Sequence, residues 1–209
     1  MAPPLPKSPI SALTGERLPG IGHNMGPSMD GGAGFRRFAW KKARKALMPR
    51  LPLEVLKRRV RRAKQLGLEY PAYASILLGT GRDIVGFLFT CDALGMRLSK
   101  TIDLPEAVSE KLKRIERVDA MLAAEHDRVD LLPDLLANAS GVQFAATSHL
   151  PRPDAGPEVG RQSIRTALDP LKLPGDAVVM IGTKAHERAW ADAAKLARFI
   201  PSDAYFPNA

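Results

Sequence analysis

The 209 residues are 45% hydrophobic and 25% charged, enough for one sizeable core and ordinary for a chain that mostly folds. A single cysteine, Cys91, excludes an internal disulfide and a cysteine-based zinc site, and it suits a reducing, cytoplasmic compartment. Of the net +9, residues 36–65 supply thirteen Lys or Arg against Glu54 alone, whereas residues 66–209 hold sixteen basic groups against nineteen acidic. A field that local favours an anionic partner at one face.

Residues 1–34 read as a disordered tail, because their proline and glycine density leaves no stretch able to hold a helix or strand. No basic region followed by an apolar run opens the chain, so no signal peptide is expected. The phrase Gly-Ile-Gly-His-Asn-Met-Gly-Pro at 20–27 resembles phrases near the start of bacterial and phage proteins and implies no activity. His23 within it reads as part of a turn. The longest apolar runs, near Ile84–Phe89 and Ala177–Ile181, are too short to span a bilayer, so membrane insertion is not expected.

Residues 35–98 read as a basic helical segment. Phe35, Ala39, Ala43, Ala46 and Leu47 fall at helical spacing, with Lys41, Lys42, Arg44 and Lys45 on the remaining faces. After Pro52 a second helix has Leu53, Leu56, Val60, Ala63 and Leu66 as its apolar stripe. Lys57, Arg58, Arg59, Arg61, Arg62 and Lys64 surround that stripe, and Gly67 is its cap. Tyr70 to Leu78 predicts a short helix ended by Gly79-Thr80-Gly81. Asp83 then suits the N-cap of a helix from Ile84 to Leu94, although the same run also fits a buried strand. Ala63, Gly67, Leu68 and Ile76 sit at the spacings of a helix-turn-helix hairpin. The following helix offers Tyr70, Tyr73 and Ser75 but no Arg, Asn or Gln to read base edges.

Residues 99–209 read as a long charged helix, Leu104 to Glu125, followed by strand, helix, strand and helix at Val142–Thr147, Glu158–Leu168, Ala177–Ile181 and Ala185–Phe199. That alternation predicts a small parallel βαβ unit with its two strands adjacent, packed as one domain with residues 35–98. The fold class is therefore α/β, helix-rich.

The segment Asp176-Ala-Val-Val-Met-Ile-Gly-Thr, followed by a helix, resembles the last conserved strand and loop of haloacid-dehalogenase-like hydrolases. In that family an acid follows the glycine to hold magnesium, and an Asp-Xaa-Asp pair after an early strand supplies the nucleophile. Thr183 occupies the first of these places, and the chain contains no Asp-Xaa-Asp. What the pattern retains is a strand, the Gly182 turn and a helix N-terminus, which can bind an anion through backbone N–H groups.

Other chemistry is thin. Cys91 lies in an apolar stretch, and His23, His126, His149 and His186 share no metal-ligand spacing. No catalytic residue, metal site or cofactor is assigned. Clustered cations on neighbouring helices favour a non-enzymatic protein that binds DNA or RNA phosphates through Lys41, Lys42, Arg44, Lys45, Lys57, Arg58, Arg59, Arg61, Arg62 and Lys64. The alternatives are an α/β enzyme or small anionic-ligand binder using the Gly182 turn, and an interaction protein docking on an acidic partner.

Overall fold

The structure, a computed structural model, describes residues 51–98, 102–125 and 131–207. The expected tail over 1–34 and the helix carrying Lys41, Lys42, Arg44 and Lys45 lie outside the described residues. Two helices open the described chain, α1 (Leu53–Gln65) and α2 (Tyr70–Thr80). Gly67, at φ +62°, makes the turn between them, and Leu68 N–H closes back onto Ala63 O at 2.9 Å. A side chain at residue 67 would be strained by that φ, and its Cβ would lie 3.0 Å from Lys111 Cε. Gly81, also left-handed, ends α2.

The chain then enters a sheet. Gly86–Thr90 is strand β1, and all five of its residues are buried. This corrects the helix expected from Ile84 to Leu94. A short antiparallel pair follows, β2 (Arg97–Leu98) and β3 (Ile102–Asp103). The expected long helix from Leu104 to Glu125 is instead α3 (Glu106–Lys113) followed by β4 (Asp119–Ala124). Next come α4 (Leu132–Ser140) and β5 (Ala146–His149), then α5 (Pro157–Leu168) and β6 (Val178–Gly182). The last expected helix stops at Ala193. It forms α6 (Ala185–Ala193), and Phe199 belongs to β7 (Arg198–Pro201), with a short α7 (Ser202–Tyr205) beyond.

Five parallel strands stand in the order β5-β4-β1-β6-β7. The fold is α/β, with a sheet larger than the βαβ unit expected from the sequence. The segments expected as adjacent strands, Val142–Thr147 and Ala177–Ile181, correspond to β5 and β6, which β4 and β1 separate. Successive side chains of a strand point to opposite faces, and two cores result. On one face Phe87, Phe89, Leu122, Val179 and Ile181 pack with Leu66 just after α1, Tyr73 and Ile76 of α2, Leu112 of α3, Leu136 of α4, and Tyr205 and Phe206. On the other, Leu88, Met121, Ala123, Val178 and Met180 pack with Ile164 and Leu168 of α5 and Trp190 of α6. Residues 53–209 form one compact unit. No helix among the described residues is long and apolar enough to cross a membrane.

In this order the chain moves outward from β1 in one direction, then returns to β1's other side to build β6 and β7. The point of reversal lies between the C-terminal ends of β1 and β6. That reversal point is the usual ligand position in doubly wound sheets.

Candidate functional site

Two places carry chemistry, the outer face of α1 and the C-terminal edge of the sheet. On α1, Lys57, Arg58, Arg61 and Lys64 are exposed, and Arg59 is half-buried. Residues 57, 61 and 64 fall one helical turn apart with Arg58 beside them, so the four form one stripe roughly 10 Å long. Lys57 Nζ reaches Glu54 Oε1 at 3.1 Å, but both groups are largely solvated and the pair is weak. A shallow depression of about 310 Å³ runs among Glu54, Val55, Lys57, Arg58 and Arg61.

Arg62 behaves differently from its neighbours. Its side chain is 14% exposed and works inside the fold. Nε donates to Asp83 Oδ2 at 2.9 Å, Nη1 to Glu116 O at 3.1 Å, and Nη2 to Ile84 O at 2.7 Å and Arg117 O at 3.1 Å. The guanidinium thus ties α1 to the entry of β1 and to the turn after α3. It is withdrawn from the outer basic face with which the sequence groups it.

The α1–α2 hairpin has the small and apolar residues where the spacing placed them. Ala63 and Ile76 are buried, and Leu68 packs against the same core. Its second helix is turned inward, however. Tyr73 is 4% exposed and donates its hydroxyl to Asp83 Oδ1 at 3.0 Å. Burial, reinforced by Asp83, pushes that phenol up to about 12. Ser75 is half-buried and accepts from Arg198 Nη1 at 3.4 Å.

At the sheet edge, the ends of three neighbouring strands converge. Asp92 follows β1, Glu125 follows β4, and Lys184 follows β6. Lys184 Nζ lies 2.7 Å from Asp92 Oδ2 and 3.1 Å from Glu125 Oε1. The hydrogen bond to Asp92 holds the ammonium pKa above its ordinary value, partly opposed by burial and reinforced by Glu125. His186 stacks beside Trp190 at 4.7 Å between ring centroids, and its Nε2 stands 3.8 Å from Glu125 Oε1.

The Gly182 turn is built around a different carboxylate. Glu187, 1% exposed, accepts the Thr183 and Lys184 N–H groups on Oε2 at 2.7 and 2.8 Å. A Cβ on Gly182 would sit 2.5 Å from that oxygen and 2.6 Å from the Phe199 ring, which accounts for glycine here. The backbone donors that could have held an external anion are therefore taken by an anion of the chain itself. β1 runs into Thr90-Cys91-Asp92, so no Asp-Xaa-Asp pair follows it. Thr90 accepts the Ala93 N–H at 3.2 Å. Among the described residues no group of three or more His, Cys, Asp or Glu is placed to hold a metal ion.

Cys91 is buried, and burial, with Asp92 adding, pushes its thiol up to about 12. A thiol held in that form is a packing group rather than a nucleophile. Sequence reasoning missed the Asp92–Glu125–Lys184 cluster, because 33 and 59 positions separate its members. The only available signal was that each polar residue closely follows a buried apolar strand. Comparison of the chain with protein-family models, curated proteins and solved structures finds no match.

Proposed function

We propose that this is a non-enzymatic, nucleic-acid-associated protein that holds DNA or RNA phosphates on the outer face of α1. One observation carries the reading: Lys57, Arg58, Arg61 and Lys64 form an exposed stripe in which Glu54 is the sole acid of the helix. Such a stripe neutralises phosphates and releases their condensed counter-ions, without needing to read bases. The inward turn of Tyr73 and the half-burial of Ser75 favour backbone contact over base recognition. By sequence, Lys41, Lys42, Arg44 and Lys45 extend the same charge.

The test is the salt dependence of binding to labelled oligonucleotides. Four phosphate contacts on α1 correspond to a slope of roughly −3 to −4 in log K against log salt. Replacing Arg58, Arg61 and Lys64 with Gln keeps helix propensity and should weaken binding to all sequences alike, with a slope shallower by roughly 2 to 3. Unchanged affinity and slope in a folded triple variant would refute the reading. Capture of polyglutamate with no affinity for any oligonucleotide would instead favour an acidic protein partner.

The sheet edge supports a second reading, a small polar ligand at the reversal point. The observation in its favour is the convergence of Asp92, Glu125 and Lys184 at that edge. Because Glu187 already fills the backbone donors at the Gly182 turn, such a ligand has to engage side chains.

A further inference from the structure

Lys111 of α3 is a cation with no counter-ion among the described residues. It is half-buried, and that burial lowers its pKa from the ordinary lysine value. Its Nζ donates to Tyr205 O and lies 3.9 Å from the Tyr205 ring centroid and 5.5 Å from that of Phe206. A carbonyl and two aromatic faces offset part of the cost of desolvating an ammonium. No carboxylate among the described residues pairs with it. Ammonium groups have three donors, and this one spends a single donor on the carbonyl.

The ammonium borders a groove of about 420 Å³ between α1 and α3. Lys64, the last member of the α1 stripe, and Arg114 stand on the same walls. Glu110 is the one acid among the described lining residues, and it is already engaged by Arg114 Nη2 at 2.8 Å. Three cations against one carboxylate leave the groove with an excess of positive charge. Part of that excess lies away from water, where an unpaired charge is most costly and an arriving anion gains most. A tetrahedral phosphate has acceptors enough for separate Lys64, Lys111 and Arg114 donors at once.

We propose that the Lys111 groove seats a phosphate group, as the anchor from which a nucleic-acid strand runs onto the α1 stripe. The assignment rests on the nucleic-acid reading above, and Lys64 belongs to both surfaces.

The experiment uses the full chain and fluorescent oligothymidylate, followed by anisotropy between about 50 and 200 mM KCl. Lys111→Met keeps an unbranched stem against Tyr205 and removes the charge together with its bond to Tyr205 O. Binding should weaken about tenfold, the worth of one charged hydrogen bond, with a slope shallower by about 0.7. Arg114→Gln, at a largely exposed position, should weaken it in the same sense and serves if Lys111→Met does not fold. Arg58→Gln with Arg61→Gln reports on the stripe independently. If that pair weakens binding while both groove variants bind like the parent, the groove proposal is overturned and the stripe stands. If none of the variants weakens binding, both ideas fall. Inorganic phosphate, compared with KCl at equal ionic strength, identifies the source of the anion. A thermal stabilisation of the parent that Lys111→Met abolishes makes the free ion a ligand of the seat. Absence of that stabilisation, with oligonucleotide binding still dependent on Lys111, makes the seat one for strand phosphodiesters.

Discussion

Replacing Arg62 with Gln should destabilise the protein far more than the same change at Arg61, one residue away. Four contacts are lost together. The bond from Nη2 to Ile84 O, at 2.7 Å, is part-buried, and a charged donor to such a carbonyl contributes about 1.5–3 kcal/mol. Those to Glu116 O and Arg117 O are exposed, and Asp83 keeps 46% of its side-chain surface, so water replaces much of each at a loss of about 0.5 kcal/mol apiece. The sum is about 3–4.5 kcal/mol, which for a chain of this size lowers Tm by roughly 6–18 °C. Arg62→Lys keeps the charge but cannot span four acceptors, and should fall between parent and Gln. Arg61→Gln, exposed and without such contacts, should stay within about 0.5 kcal/mol of the parent. Urea unfolding followed by circular dichroism measures all three. Equal midpoints for the Arg62 and Arg61 Gln variants would mean that the four contacts do not hold α1 to the sheet.

Gly160→Ala should cost about 1–3 kcal/mol despite alanine's better helix propensity, because the added Cβ meets the Trp190 indole where α5 crosses α6. A midpoint at or above the parent's in the same assay argues against that close crossing. For Lys184, whose folded pKa is raised, the stabilisation is fully present below the unfolded value of about 10.4 and is lost as pH climbs through the higher folded value. The parent's Tm should therefore fall more steeply than that of Lys184→Met above about pH 10, and parallel curves would contradict the bridge to Asp92 and Glu125. Cys91, buried with its thiol pushed up to about 12, should react with a chromogenic disulfide only once urea unfolds the chain. Prompt reaction of the native protein would show the thiol to be accessible.

The parts of this fold that announce themselves locally were readable. Both α1 and α2 end at glycines with positive φ, at positions where the sequence puts Gly67 and Gly81, and α5 and β6 lie within a residue of their expected bounds. β1 was misread because a central parallel strand is buried on both faces and shows no alternation; Ile84-Val-Gly-Phe-Leu-Phe then differs from a buried helix only by context. β4 was lost inside a long helix since Asp119-Ala-Met-Leu-Ala-Ala is rich in helix formers, and its place between β1 and β5 overrides that preference. With two strands missed, β5 and β6 looked adjacent. The same limit applied to chemistry. Nothing in Arg-Arg-Ala-Lys distinguishes Arg62, which braces the fold, from Arg61, which faces water, because the difference lies in Asp83, Glu116 and Arg117 across the interface.

The central position of β1 also bears on biosynthesis. Its partner on one side begins at Asp119, but its partner on the other begins at Val178, 92 positions after Gly86. While the chain emerges, β5, β4 and β1 can associate as a three-stranded half-sheet with the far side of β1 unpaired. That open edge is Gly-Phe-Leu-Phe-Thr, a short, uncharged, strongly β-prone segment of the kind that recruits other chains. Protection arrives only when β6 is synthesised and closes a long loop, an entropic cost met late. Nascent chains that stall before Gly182, and variants that slow the docking of β6, are thus exposed to aggregation by a strand that the finished protein hides at its centre.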